Sequence, residues 1–192
     1  MHRGWYVKPM RDRIIAAWHA ASPHHAEGRA WYPNAWQWCA DLASEQGYDT
    51  WQVAGALAAL SPMRGWEDNL RLAELAVRAH KAGQHWTDVT LSFAANNWKA
   101  WAILDGDNPL DVLGGDKVRA FYRAIMGDDS AVCVDRWAYR IARPDRPYTT
   151  PTARQYARLA DAYRLAAEAL GQPPATVQAA TWTHIRTVSG DA

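Results

Sequence analysis

A chain of 192 residues suffices for one core, or one core wrapped by terminal helices. Its 21 Lys+Arg balance 20 Asp+Glu, so no global positive field draws it to nucleic acid, and any such affinity needs a local basic face. Two cysteines, Cys39 and Cys133, exclude a disulfide scaffold and a four-cysteine iron–sulfur cluster within the chain.

The composition is unusual in carrying 12 Trp against 2 Phe. Tryptophan buries a large area yet keeps an N–H that wants a partner, so most are expected in the core and one or two as stacking surfaces. No apolar run approaches a membrane span, and MHRGWYVKPMRDR lacks the apolar stretch of a signal peptide. A soluble, cytoplasmic protein with reduced thiols is expected.

Helical periodicity dominates from the start. Ile14, Ile15 and Trp18 form one apolar stripe, and Trp31, Ala35, Trp38, Cys39 and Leu42 another. The aromatic group Trp31, Tyr32, Trp36 and Trp38 goes around its helix, half towards a core and half towards a partner. WQVAGALAAL, residues 51–60, reads as a core helix that stops at Ser61-Pro62, because proline disfavours helical geometry in the residue before it. A helix from about Gly65 to Ala82 follows, with Leu70, Ala73, Leu75 and Val77 on its apolar side.

Dense punctuation comes next, Asn96-Asn97 and then DGDNPLDVLGGDK from 105 to 117. A short helix ending at Leu113, a Gly114-Gly115 hairpin and a helix from Asp116 or Lys117 to about Met126 are predicted. Such a hairpin aims successive backbone N–H groups outward beside a helix N-terminus, which suits a phosphate. The loop GDDSA then leads into AVCVDRWAYRIA, where an apolar run delivers Asp135 to a helix bearing Arg136, Arg140 and Arg143. An acid in that place reads first as an N-cap. Thr150-Pro151 predicts an N-cap with proline at the first helical position, Gly171 the end of that helix, and Pro174 to about Thr187 a last helix. The seven histidines, His2, His19, His24, His25, His80, His85 and His184, show no ligand spacing, so no metal site is expected. All-α is the expected class.

The order Leu-x-Gly-x-Lys, a loop, then Val-x-Val-Asp with an Arg a few residues on resembles the helix-hairpin-helix (HhH-GPD) DNA glycosylase superfamily. Lys117 precedes Asp135 by 18 residues, similar to the spacing in its endonuclease III branch. Upstream, VAGALAALSPMRGWEDNLRLAELAV, residues 53–77, is similar to that family's buried helix, Leu-Ser corner and following helix. The block ALSPxxxWxxN with KVxAFYxxxxG and VDRWAxR also resembles a divergent phage and actinobacterial branch without the iron–sulfur cluster.

The resemblance covers residues 51–143 and implies one domain over 1–192, in which terminal helices complete a second helical half and a cleft runs between the halves. It implies Asp135 as the carboxylate that stabilises positive charge on the deoxyribose while a flipped base departs. It implies Lys117 as a second catalytic residue able to form a Schiff base and give weak strand cleavage. Leu113, Gly114, Gly115, Arg119, Arg136 and Arg140 would hold DNA, and Ser61, Met63, Trp66 and Asn69 would line the base pocket. DNA is the expected partner, with no cofactor, no membrane and a monomeric chain.

The departures from the family pattern concern the parts that read the substrate. The hairpin lacks the usual proline, Arg136-Trp137 replace Thr-His after the acid, and Pro62-Met63 stand where a glutamine fills the gap left by the base. An N-glycosylase for a modified base is therefore the first expectation. A pyrophosphate-displacing transferase that elaborates a hypermodified thymine is the second, and a catalytically silent DNA-binding module the third.

Overall fold

The computed structural model describes residues 4–190, and those residues contain helices and loops with no strand. His2 lies outside them. In chain order come α1 (Gly4–Ala20), a 3-10 turn (Ser22–His24), α2 (His25–Gln46), α3 (Thr50–Leu60), α4 (Trp66–Lys81) and α5 (Ala94–Leu104). Then follow α6 (Pro109–Val112), α7 (Asp116–Ile125), α8 (Arg136–Ala142), α9 (Ala153–Leu170) and α10 (Pro174–Ser189). The protein is all-α. Its residues divide into two compact units, one of 1–33 with 127–192 and one of 34–126. The boundary falls at Pro33, inside α2.

In the unit built from the chain ends, α1, α8, α9 and α10 pack on one another. Ile14 and Trp18 of α1 meet Val132 and Val134, Tyr139 and Ile141 of α8, Tyr163 of α9 and Val177 of α10. Tyr163 is wholly buried, and its hydroxyl donates to the Ala138 carbonyl at 3.3 Å. Gly28 of α2 is required by α10, since a Cβ there would lie 2.4 Å from Ala180 Cα.

α9 starts two residues later than Thr150-Pro151 predicts. The N-cap is Thr152, whose hydroxyl accepts from Gln155 N at 3.3 Å, while Gln155 accepts from Thr152 N at 2.9 Å. Proline thus precedes the cap instead of opening the helix, and a reciprocal capping box decides the register. Gly171 ends α9 in left-handed geometry, φ 61°, as expected.

In the middle unit α3 is the spine. Val53 through Leu60 are all buried, and α4, α5, α6 and α7 pack on it. The apolar face of α4 is rotated from the one read in sequence: Asn69, Leu72, Ala73, Ala76 and Val77 are buried, while Leu75 is 44% exposed. That set keeps strict three- and four-residue steps, which Leu70, Ala73, Leu75 and Val77 do not. Asn96-Asn97 is likewise no turn but the first turn of α5. Asn97 is buried, its Oδ1 accepting from Ser92 N at 3.1 Å and its Nδ2 donating to Val89 O at 2.9 Å. The side chain satisfies the loop ahead of the helix, so a turn-forming residue serves inside one. Cys39 and Cys133 are both buried, and neither is in a disulfide.

Candidate functional site

The segment Ala131–Val134 is buried yet neither helix nor strand, so its backbone groups need partners elsewhere. Tyr156 of α9 supplies them: its hydroxyl donates to Val132 O at 2.8 Å and accepts from Val134 N at 3.1 Å. The run then delivers Asp135, in extended geometry, to the head of α8.

Asp135 is the N-cap of α8, and both of its oxygens are engaged. Oδ1 accepts from Trp137 N at 2.9 Å and Ala138 N at 2.8 Å, while Oδ2 accepts from Trp182 Nε1 at 2.9 Å. The carboxylate is therefore fixed by a helix terminus on one side and by an indole of α10 on the other. Trp31 stands edge-on to Trp182 at 5.5 Å and to Tyr32 at 4.8 Å, and the Tyr32 hydroxyl donates to Gln178 at 2.8 Å. Burial, with Cys133, Asp135 and Tyr156 nearby, holds the Tyr32 hydroxyl well above the ordinary tyrosine range. The Arg186 guanidinium lies 4.5 Å from the Trp182 ring centre. The half-buried acid thus sits among aromatic rings, with a cation over the indole that binds it.

The basic residues of α8 do not act as one face. Arg136 and Arg140 both lie within 5 Å of the buried Trp137 ring, at 4.8 and 4.9 Å, and both are exposed. Arg143 lies apart at the other end, half-buried beside Asp145.

In the middle unit the Gly114-Gly115 hairpin forms as predicted. Gly115 has φ 79°, a left-handed value that favours glycine, and is the N-cap of α7. Leu113 is a buried anchor instead of a surface contact, and its carbonyl accepts from Arg119 Nε at 2.7 Å. Arg119, expected to hold DNA, thereby braces the hairpin. Lys117 is half-buried in the first turn of α7. Lys99 Nζ lies against Gly114, 3.3 Å from where a Cβ would stand, adding a cation to the hairpin.

The residues expected to line a base pocket occupy the corner after α3. The Ser61 hydroxyl donates back to Ala58 O at 2.9 Å, so it finishes α3 and does not open α4. Met63 stands 89% exposed with φ 65°. Trp66 is half-buried at the start of α4, and Asn69 is buried with its Oδ1 lacking a donor. The corner does not gather these four into one lining: two face inward to differing degrees, and Met63 faces water.

A family model spans residues 1–189. The chain belongs to DUF7178, a family of unknown function. No curated protein and no solved structure matches the chain. For this DUF7178 member, chemistry has to be derived from the side chains themselves. Among the described residues no three His, Cys, Asp or Glu side chains gather to hold a metal ion, and no helix is long and apolar enough to cross a membrane.

Sequence reasoning placed Asp135 at a helix start but missed Trp182, Tyr156 and Lys99. Trp182 is 47 residues from Asp135, and nothing local marks it among twelve tryptophans. Only the packing of α8 on α10 makes them neighbours.

Proposed function

We propose that the protein is an N-glycosylase-like enzyme acting on a modified base flipped out of DNA, with Asp135 as its carboxylate. The observation that carries this is the fixation of Asp135 through both oxygens amid Trp31, Tyr32 and Trp182. Cleaving an N-glycosidic bond builds positive charge on the sugar, and an anion already held in place stabilises that charge without reorganising. The surrounding rings offer apolar surface to a base taken out of its stack. Arg136 and Arg140, exposed on α8, supply positive charge for phosphates. In the other unit, the hairpin at Gly114-Gly115 with Lys99 supplies a second phosphate contact, and Lys117 is the candidate for Schiff-base chemistry.

The test incubates the protein with unmodified DNA and with DNAs carrying hydroxymethylated, glucosylated or amino-modified pyrimidines, and scores free bases and intact nucleosides by mass spectrometry. Asp135→Asn retains a good N-cap residue while removing the charge. It is expected to reduce base release by at least about a hundredfold. Borohydride trapping of a covalent DNA adduct, lost in Lys117→Ala, would assign the lysine. Intact nucleosides of altered mass would replace the glycosylase by a base-modifying transferase.

A second reading is a DNA-binding module without catalysis. It is favoured by one observation: the three N–H donors on Asp135 are also what a purely structural clamp between α8 and α10 requires. DNA binding that survives Asp135→Asn, with neither base nor nucleoside changed, would select it.

A further inference from the structure

Seven residues after Asp135, α8 ends, and beyond Arg143 the unit formed by the chain ends opens into a cavity of about 290 Å³. α1, α8 and α9 and the loop after α8 all contribute to it. Arg13, Arg143 and Arg158 come to its wall from three separate elements, and Asp145 is the single carboxylate among them. Met10 and Tyr139 supply apolar and aromatic surface. The size is near the lower end for small-molecule sites.

The internal pairing is uneven. Arg13 Nη1 donates to Asp145 Oδ1 at 2.6 Å and to Ala142 O at 3.2 Å, so its fork is anchored to the end of α8. Arg143 Nε stands 3.7 Å from the same Asp145 oxygen, too far for a hydrogen bond. Asp145 is exposed; slight desolvation opposes its ionisation, but a hydrogen bond from its own backbone and the Arg13 and Arg143 guanidiniums beside it hold the carboxyl below its usual value. One carboxylate thus serves two guanidiniums, with a third on the wall.

Three guanidiniums and one carboxylate give the lining a cationic character and three donor forks. Such a wall suits a phosphate monoester, which carries about −1.5 to −2 at neutral pH and presents three acceptor oxygens. Planar guanidinium forks bind such oxygens in pairs of parallel hydrogen bonds. A cavity with an apolar side suits an organic group attached to that phosphate.

We propose that this cavity binds the phosphate monoester of a small organic molecule of mononucleotide size, and that the phosphate displaces Asp145 from Arg13 and Arg143. Asp145 acts as an internal competitor, holding the arginines in place while the site is empty of ligand. The site lies at the opposite end of α8 from Asp135 and does not depend on glycosylase chemistry.

Calorimetric titration of the full chain with thymidine 5′-monophosphate, thymidine and inorganic phosphate tests this. The monophosphate is expected to bind more tightly than inorganic phosphate, and the uncharged nucleoside not to bind. Arg143→Gln and the exposed Arg158→Gln should each weaken binding about tenfold, as loss of a charge-assisted pair predicts. Asp145→Asn should move it the other way, tightening it about threefold, because a competing anion is gone. Asp135→Asn should leave it unchanged. Absence of binding by the wild type at millimolar monophosphate overturns the proposal. So does binding indifferent to Arg158→Gln, which sits on the surface of α9 and leaves the core intact, or binding weakened by Asp145→Asn.

Discussion

α3 and α8 are both helices that the rest of their unit packs around, yet they are built for different tasks. α3 buries eight consecutive residues, Val53 to Leu60, none of them titratable. α8 buries five of its seven residues but carries Asp135 at its head, Arg143 at its tail, and Arg136 and Arg140 on its outer side. A helix sunk in apolar surroundings on all sides can only support. One whose termini reach a half-buried acid and a cation-lined cavity can position charge, and burying such groups is tolerated only because each is given partners.

The sharpest break between the units is expected at their helical glycines. Exchanging a mid-helix glycine for alanine ordinarily gains about 1 kcal/mol. Gly28→Ala should reverse that sign, because the new methyl would lie 2.4 Å from Ala180 Cα, in backbone that cannot yield. A loss of roughly 3 kcal/mol in urea unfolding is expected. Gly55→Ala in α3 meets Ile103 Cγ2 at 2.7 Å and Pro109 Cγ at 3.0 Å, side-chain atoms that can shift in part. Its net cost should be about 1 kcal/mol, the propensity gain offsetting some of the strain. Equal effects at both sites would erase the contrast.

Alkaline titration should sharpen it. Burial pushes the Cys39 thiol from 9.0 up to about 12, so the folded middle unit keeps a proton that the unfolded chain releases. Stability from this group is complete below pH 9 and falls as pH rises from 9 towards 12. Cys39→Ala should flatten that part of a melting-temperature profile. In the other unit burial raises Tyr163, so its loss of stability begins only above the ordinary tyrosine value of 10.0. A profile unmoved by Cys39→Ala below pH 10 would remove the distinction.

The smallest effect is expected where α10 meets the acid. Trp182→Phe keeps an aromatic ring but deletes the N–H that binds Asp135 Oδ2. Melting should register about 1 kcal/mol, the usual worth of one hydrogen bond. Base release should fall less than in Asp135→Asn, since the other oxygen stays capped by α8. A Trp182→Phe protein as inactive as Asp135→Asn would show that the indole contacts substrate instead of positioning the carboxylate.

Much of the architecture could be read from local signals. The uniform apolar run of α3, its stop at Ser61-Pro62, the glycine hairpin before α7 and the αL end of α9 are each set by residues within a few positions of the feature. Where the sequence misled, a side chain had found a partner off its own element. Asn97 was a turn signal until its amide closed the loop from Val89 to Ser92, and Thr152 took the cap because Gln155 could return the bond. The candidate site divides the same way. Asp135 as a helix cap was legible from Asp-Arg-Trp-Ala, whereas its second partner Trp182 and the grouping of Arg13, Arg143 and Arg158 depend on how α1, α9 and α10 pack around α8.

The corner after α3 carries one further consequence. Met63 holds a left-handed backbone and leaves 89% of itself in water, while Met10 is 4% exposed within the core. Mild peroxide should therefore convert Met63 to its sulfoxide long before it reaches Met10, and without loosening any packed helix. The chain thus carries its own chemical reporter at the end of α3: a ligand, strand of DNA or second protein that covers this corner would announce itself by slowing a single thioether's oxidation.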